Sequence, residues 1–87
     1  MQITNNSVAG SLESSDCLVS VEPRSSGISI DIKSSVMMQF GTQIKKVIEE
    51  TLQELGVTNV SLSINDKGAL DCTIKARTTT AIKRAAS

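Results

Sequence analysis

The stretch Val8-Ala9-Gly10-Ser11-Leu12-Glu13-Ser14-Ser15-Asp16 gathers three hydroxyls and two carboxylates beside a glycine, directly before the first strand-like run. A serine hydroxyl becomes a nucleophile only beside a base, and the chain has no histidine to act as the usual one. The stretch is therefore suited to being modified by another enzyme rather than to reacting by itself. Gly10 loosens the backbone, and the flanking Glu13 and Asp16 favour exposure. The competing role for Ser14 and Ser15 is turn or cap formation, their oxygens bonding nearby backbone amides. Elsewhere Asp31, Asp66 and Asp71 fall in turns or on strand faces, and no glycine-rich phosphate loop, metal-ligand cluster or nucleotide fingerprint occurs. Such an inventory fits a protein that holds something, or is held, better than one that catalyses.

The elements that must position these residues belong to one domain, since 87 residues build a single core with little surplus stability. An apolar content of 39% and a charged content of 21% describe an ordinary folded chain, and nine basic residues against nine acidic ones imply no electrostatic partner. With Phe40 as the lone aromatic, the stacking and basic surface of a nucleic-acid binder are missing. Cys17 and Cys72 lie far apart and form no Cys-x-x-Cys pair, so they read as two reduced core thiols. No apolar stretch approaches the length of a membrane span and no basic-then-apolar signal region opens the sequence, so the protein is expected to stay in the cytoplasm.

Residues Met1 to Ser7 carry no period and read as a loosely held lead-in that could pair briefly at an edge. Cys17, Val19 and Val21 then alternate with Leu18, Ser20 and Glu22, the period of a half-buried strand ended by Pro23. Arg24-Ser25-Ser26-Gly27 is turn chemistry, and Ile28, Ile30 and Ile32 alternate beyond it, so the two runs predict an antiparallel hairpin. Val36, Phe40, Ile44, Val47, Ile48, Leu52 and Leu55 recur at helical steps, predicting a long amphipathic helix capped by Ser34 or Ser35 and stopped at Gly56. Gly41 inside it suggests close packing on the sheet. Val60, Leu62 and Ile64 form the next strand, and Asn65-Asp66-Lys67-Gly68 suits a tight turn into a returning strand over 69–73, with Leu70 and Cys72 inward. Ile74, Thr78, Ala81, Ile82 and Ala85 mark a short closing helix. The predicted class is α+β in the order ββαββα: a mainly antiparallel sheet of about four strands, in two hairpins, with helices over one face.

Three segments together carry a family resemblance. Gly10-Ser11-Leu12-Glu13-Ser14-Ser15-Asp16, then Ser34-Ser35-Val36 with Gln39-Phe40-Gly41, then Asp66-Lys67-Gly68-Ala69-Leu70-Asp71-Cys72 resemble, in order and spacing from about Val8 to Arg77, the acyl carrier (gamma) subunit of bacterial citrate lyase. The resemblance implies that Ser14 is joined through a phosphodiester to a phosphoribosyl-dephospho-coenzyme A group, added by a maturation transferase, whose thiol carries the acyl unit. It also implies an alpha subunit that exchanges acetyl for citryl and a beta subunit that cleaves the citryl thioester. The carrier would supply no acid, base or nucleophile, only a tether that raises the effective concentration of the thioester at each partner site. The carrier of malonate decarboxylase is the nearest relative by role. The fatty-acid carrier differs: it resembles an acidic helical bundle with an Asp-Ser-Leu motif, whereas this chain is neutral and rich in strand-like runs.

Ser14 also suits the role on its own residues, because an arm must attach where backbone is exposed and its far end can swing clear. Ser11 and Ser15 compete, Ser11 as a turn former beside Gly10 and Ser15 as the lead into the strand. Glu13 and Asp16 would repel a phosphodiester, so they are expected to face away or to meet Arg24, Lys67 or Arg77. The other function class compatible with these residues is a small interaction domain without a cofactor, pairing a strand edge or its closing helix with a partner.

Overall fold

The computed structural model describes residues 1–34 and 37–86. The expected cap at Ser35 and the stripe position Val36 lie outside the described residues, as does the side chain of Phe40. Six elements succeed one another: β1 (Ser7–Gly10), β2 (Cys17–Glu22), β3 (Ile28–Ser34), α1 (Met37–Glu54), β4 (Val60–Asp66) and α2 (Asp71–Ala85). They make one four-stranded sheet in the order β1-β2-β4-β3, covered by the two helices, in the expected α+β class. Pairing is antiparallel between β1 and β2 and between β2 and β4, and parallel between β3 and β4.

The alternation of apolar residues sets the register. Ala9, Val19, Ile64 and Ile32 lie side by side across one rung, and Val21, Leu62 and Ile30 across the next. Slipping a strand by one residue would turn this whole set to solvent, so the pattern specifies its own pairing. Two details depart from expectation. The second and third strands run in opposite directions but do not form a hairpin, because β4 lies between them. The reason is burial: Val60, Leu62 and Ile64 are all at most 2% exposed and suit the middle of a sheet, whereas β3 carries Asp31 and Lys33, charges that blunt an edge. A helix between β3 and β4 also returns the chain to its starting end, which makes those strands parallel.

The other departure concerns residues 69–73, which are not a returning strand. Gly68 does turn the chain at φ +90°, and Asp66 Oδ1 accepts the Ala69 amide at 2.9 Å, but the turn leads into α2, which starts at Asp71. Leu70 is 71% exposed and Cys72 is exposed, so neither points into the core as expected. Turn chemistry of this type serves a hairpin and a helix entry equally. Two alternating residues are too short a signal against the helical stripe beyond them, where Ile74, Thr78, Ala81, Ile82 and Ala85 are all buried. The fourth strand is instead β1, whose Ala9 is buried against the sheet.

Each helix covers part of the sheet: α2 lies over β1 and β2, α1 over β3, and the helices touch each other. Ile44, Ile48 and Leu52 of α1 and Ile74, Ala81, Ile82 and Ala85 of α2 join the strand residues in a single core. Burying each large aliphatic side chain there contributes about 1.5 to 3 kcal/mol. Gly41 is buried within α1. At its end the Gly56 amide donates to Gln53 O and the Val57 amide to Leu52 O, with Gly56 at φ +70°, a Schellman stop at the expected glycine. Ser34 ends β3 and donates to Asp66 Oδ2 at 2.8 Å. The first residues are tied down: Ile3 is buried, and the amides of Thr4 and Asn5 both donate to Ala85 O at 3.0 Å.

Candidate functional site

The connection between β1 and β2 is where the sequence concentrates its hydroxyls. Gly10 enters it at φ +99°, and the Ser11 amide donates to Cys17 O at 3.1 Å, closing the loop at its base. Within the loop the Asp16 amide donates to Glu13 O at 3.1 Å, enclosing Ser14 and Ser15 in a β-turn. Ser15 takes the left-handed position at φ +66°. A positive φ at the third residue of such a turn suits glycine better than serine, so something outside the loop must hold it.

Two remote elements do so. From the turn between β4 and α2, Lys67 O accepts the Ser15 amide at 2.8 Å and the Lys67 amide donates to Asp16 O at 2.9 Å. From α2, Arg77 reaches Asp16 with both arms of its guanidinium: Nε donates to Oδ1 and Nη2 to Oδ2, each at 3.1 Å. The same carboxylate accepts the Ser11 hydroxyl at 2.7 Å and the Cys17 amide at 2.7 Å. Asp16 thus fastens the start and the end of the loop to a helix. The Arg77 hydrogen bonds, helped by those from Ser11 and Cys17, hold its carboxyl down at about 2. Asp16 is fixed in its charged form and is no general acid at neutral pH.

The three serines now separate. Ser11 donates to Asp16 and its oxygen accepts the Glu13 amide at 3.3 Å, so both its capacities are engaged. Ser15 is exposed, and its hydroxyl meets no partner among the described residues, but its amide is clamped to Lys67 O at 2.8 Å. Ser14 is exposed at the second position of the turn, and its hydroxyl meets no hydrogen-bond partner among the described residues. Of the flanking carboxylates, Asp16 meets Arg77, one of the three cations named as candidates, and Glu13 is exposed. Arg24 bonds Ser26 O in the connection between β2 and β3 instead. The sequence did not point to the Lys67 backbone as a clamp; the Asp66-Lys67-Gly68 turn was its visible trace, read as a hairpin. Cys17 is fully buried beside this loop, and burial, with the charges of Asp16 and Asp66, pushes its thiol up to about 11. It remains protonated and unreactive at neutral pH.

The loop thus presents an exposed serine on a turn braced from two sides. A family model, acyl carrier protein, malonate decarboxylase delta subunit, matches residues 4–85. The citrate lyase acyl carrier protein of Streptococcus mutans is 61% identical over 87 residues, covering 99% of this chain and 85% of that one. That of Streptococcus uberis is 58% identical, covering 99% and 85%, and that of Treponema denticola is 55% identical, covering 98% and 97%. The chain belongs to the citrate lyase acyl carrier protein family. Its role is that of an acyl carrier, and membership of an acyl carrier family implies a covalently attached prosthetic group. The fold also matches a chain in the crystal structure of a Pseudomonas malonate decarboxylase hetero-tetramer in complex with malonate, with a TM-score of 0.83 at 21% identity, covering 95% of this chain and 87% of that one. Among the described residues no helix is long and apolar enough to cross a membrane.

Proposed function

We propose that this chain is the acyl carrier subunit of a cytoplasmic citrate lyase and that Ser14 anchors a phosphoribosyl-dephospho-coenzyme A arm through a phosphodiester. The observation that carries the reading is the contrast between three serines in one loop. Ser11 is fully engaged, and of the two exposed serines Ser15 is fastened through its amide at a left-handed φ, while Ser14 stands at the second position of the braced turn. These residues fit the group, because an arm on Ser14 leaves toward solvent and displaces no packed side chain. When bound, the arm supplies a thiol on which an acyl unit rides as a thioester.

The chain's own residues hold and present. Asp16, the carboxylate closest in sequence to the strand, is neutralised by Arg77 and so does not repel a phosphodiester two residues away. Asp16 stays ionised in its hold on Arg77 and Cys17 stays protonated and buried, so neither serves as a proton shuttle beside Ser14. The reactions then belong to the partners, a citrate lyase alpha subunit acting as acyl transferase and a beta subunit acting as citryl lyase, to which the carrier delivers acetyl and citryl thioesters. Tethering lets one bound thioester reach both sites at high effective concentration without leaving the complex. Residues 1–87 act as a single carrier domain in this reading.

The test is the intact mass of the chain produced with the citrate lyase maturation enzymes. An added mass that disappears in Ser14→Ala and persists in Ser15→Ala and Ser11→Ala is the expected result. Retention of the adduct in Ser14→Ala moves the anchor elsewhere. A wild-type chain that stays unmodified under those conditions favours an interaction domain without a cofactor.

A further inference from the structure

We infer that the Asp16–Arg77 pair lines up the Ser14 hydroxyl for the enzyme that loads the chain, which makes Arg77 a positioning residue for arm attachment. The inference rests on Ser14 being the anchor. The loop's own bonds, Ser11 amide to Cys17 O at its base and Asp16 amide to Glu13 O across the turn, leave Ser15 at a φ that serine disfavours. Outside hold comes from the Lys67 backbone and, through side chains, from Arg77 of α2, 61 positions from Asp16 in the chain.

Arg77 touches the loop at both ends. Its guanidinium grips Asp16 at the exit through two parallel hydrogen bonds, and its Cδ lies where a Cβ on Gly10, at the entrance, would come within 3.3 Å. Asp16 passes this hold on to Ser11 and Cys17. A two-point guanidinium–carboxylate contact fixes direction as well as distance, which an ammonium does not. With the Arg77 side chain 43% exposed, solvent screening discounts what the pair adds to folding. What the contact fixes is the geometry of the turn that bears Ser14.

Loading needs that geometry. A phosphodiester forms when Ser14 Oγ attacks the phosphorus of an activated, polyphosphate-bearing nucleotide donor. The new O–P bond replaces the bond to the polyphosphate leaving group, and the hydroxyl proton passes to a base of the transferase. A hydroxyl misplaced by about 1 Å slows such a step on the order of 100-fold.

The experiment measures loading of the purified chain by its transferase and donor, using intact mass to obtain kcat and KM. Arg77→Gln should lower kcat tenfold or more with KM changed less than twofold, because the rest of the docking surface is intact. Arg77→Lys should recover part of the loss, and Asp16→Asn combined with Arg77→Gln should be no slower than either alone. Hydrogen exchange should quicken at the Ser15, Asp16 and Cys17 amides in Arg77→Gln and stay unchanged in β4. Ile82→Val, a core substitution that lowers the melting temperature without touching the loop, should load at the wild-type rate. Wild-type kcat in Arg77→Gln, with loading still on Ser14, overturns the inference and leaves the anchor standing. A rate loss in Ile82→Val that matches its loss of melting temperature overturns it as well, by making stability the cause. If the wild-type chain loads elsewhere than Ser14, anchor and inference fall together.

Discussion

The Cys17 carbonyl lies so close to Gly10 that a Cβ added at Gly10 would stand 1.8 Å from its oxygen. Gly10 also holds φ +99°, which L side chains rarely adopt. Gly10→Ala therefore meets two penalties at once, and backbone is the obstacle, so neither is relieved by rotating a side chain. A loss of about 2 to 3 kcal/mol is expected, measured as a lowered urea midpoint at unchanged m-value. A midpoint within error of wild type would show that the chain escapes by moving β1.

Acid should loosen the loop before it unfolds the core. Asp16 titrates at about 2 in the folded chain, against an ordinary 3.8, chiefly because Arg77 bonds its charged form. A depressed folded value means that the carboxylate's contribution is fully present above pH 4 to 5 and disappears as the pH falls through 2. Urea titrations at pH 5, 3.5 and 2.5 should show stability declining with acid. Asp16→Asn should be less stable than wild type at pH 5, and the gap should narrow toward pH 2. A gap constant over that range would mean that the charge of Asp16 does not matter to folding.

The two thiols should react very differently. Cys72 is exposed in the first turn of α2, whereas Cys17 is 0% exposed and its thiol is pushed up to about 11. Iodoacetamide at pH 8 should add one group to the native apo chain, placed on Cys72 by peptide mass, and a second only in denaturant. Rapid addition of two groups to native protein would contradict the burial of Cys17.

One core position is imperfect. The Thr78 hydroxyl is fully buried and has no hydrogen-bond partner among the described residues. Thr78→Val keeps the shape and removes the stranded oxygen, so it should raise stability by about 1 kcal/mol, read as a higher urea midpoint. A fall of similar size would mean that the hydroxyl has a partner in solution.

Local periodicity carried much of this architecture. The alternations at Cys17 to Val21 and Val60 to Ile64, the α1 stripe through Ile44, Ile48 and Leu52, the Gly56 stop and the α2 stripe all stand where residue spacing put them. What the spacing could not convey was partnership. β1 is four residues with one small buried side chain, Ala9, too faint a signal to separate a strand from the serine-rich stretch that Val8 to Gly10 open. The place of β4 between β2 and β3 depends on comparing how apolar distant strands are, which no local window does. The same holds at the loop. Its exposure could be read from Gly10, Glu13 and Asp16, but the hold from Lys67 and Arg77 comes from residues brought near only by the fold. Asp16 and Arg77 could be proposed as partners from charge alone, while the two-point geometry could not.

The position of β4 sets the order in which a nascent chain can fold. It pairs with β2 on one side and β3 on the other, yet it is the last strand to leave the ribosome. Until it emerges, β3 has no neighbour in the sheet and the β1–β2 pair has no third strand, and an isolated two-stranded ribbon is barely stable in water. Assembly must wait for a segment to slot in between two waiting edges, a non-local step that slows folding. The turn bearing Ser14 is likewise finished only after β4 has emerged, because Lys67 and Arg77 lie beyond that strand in the chain, so shorter nascent chains do not display it.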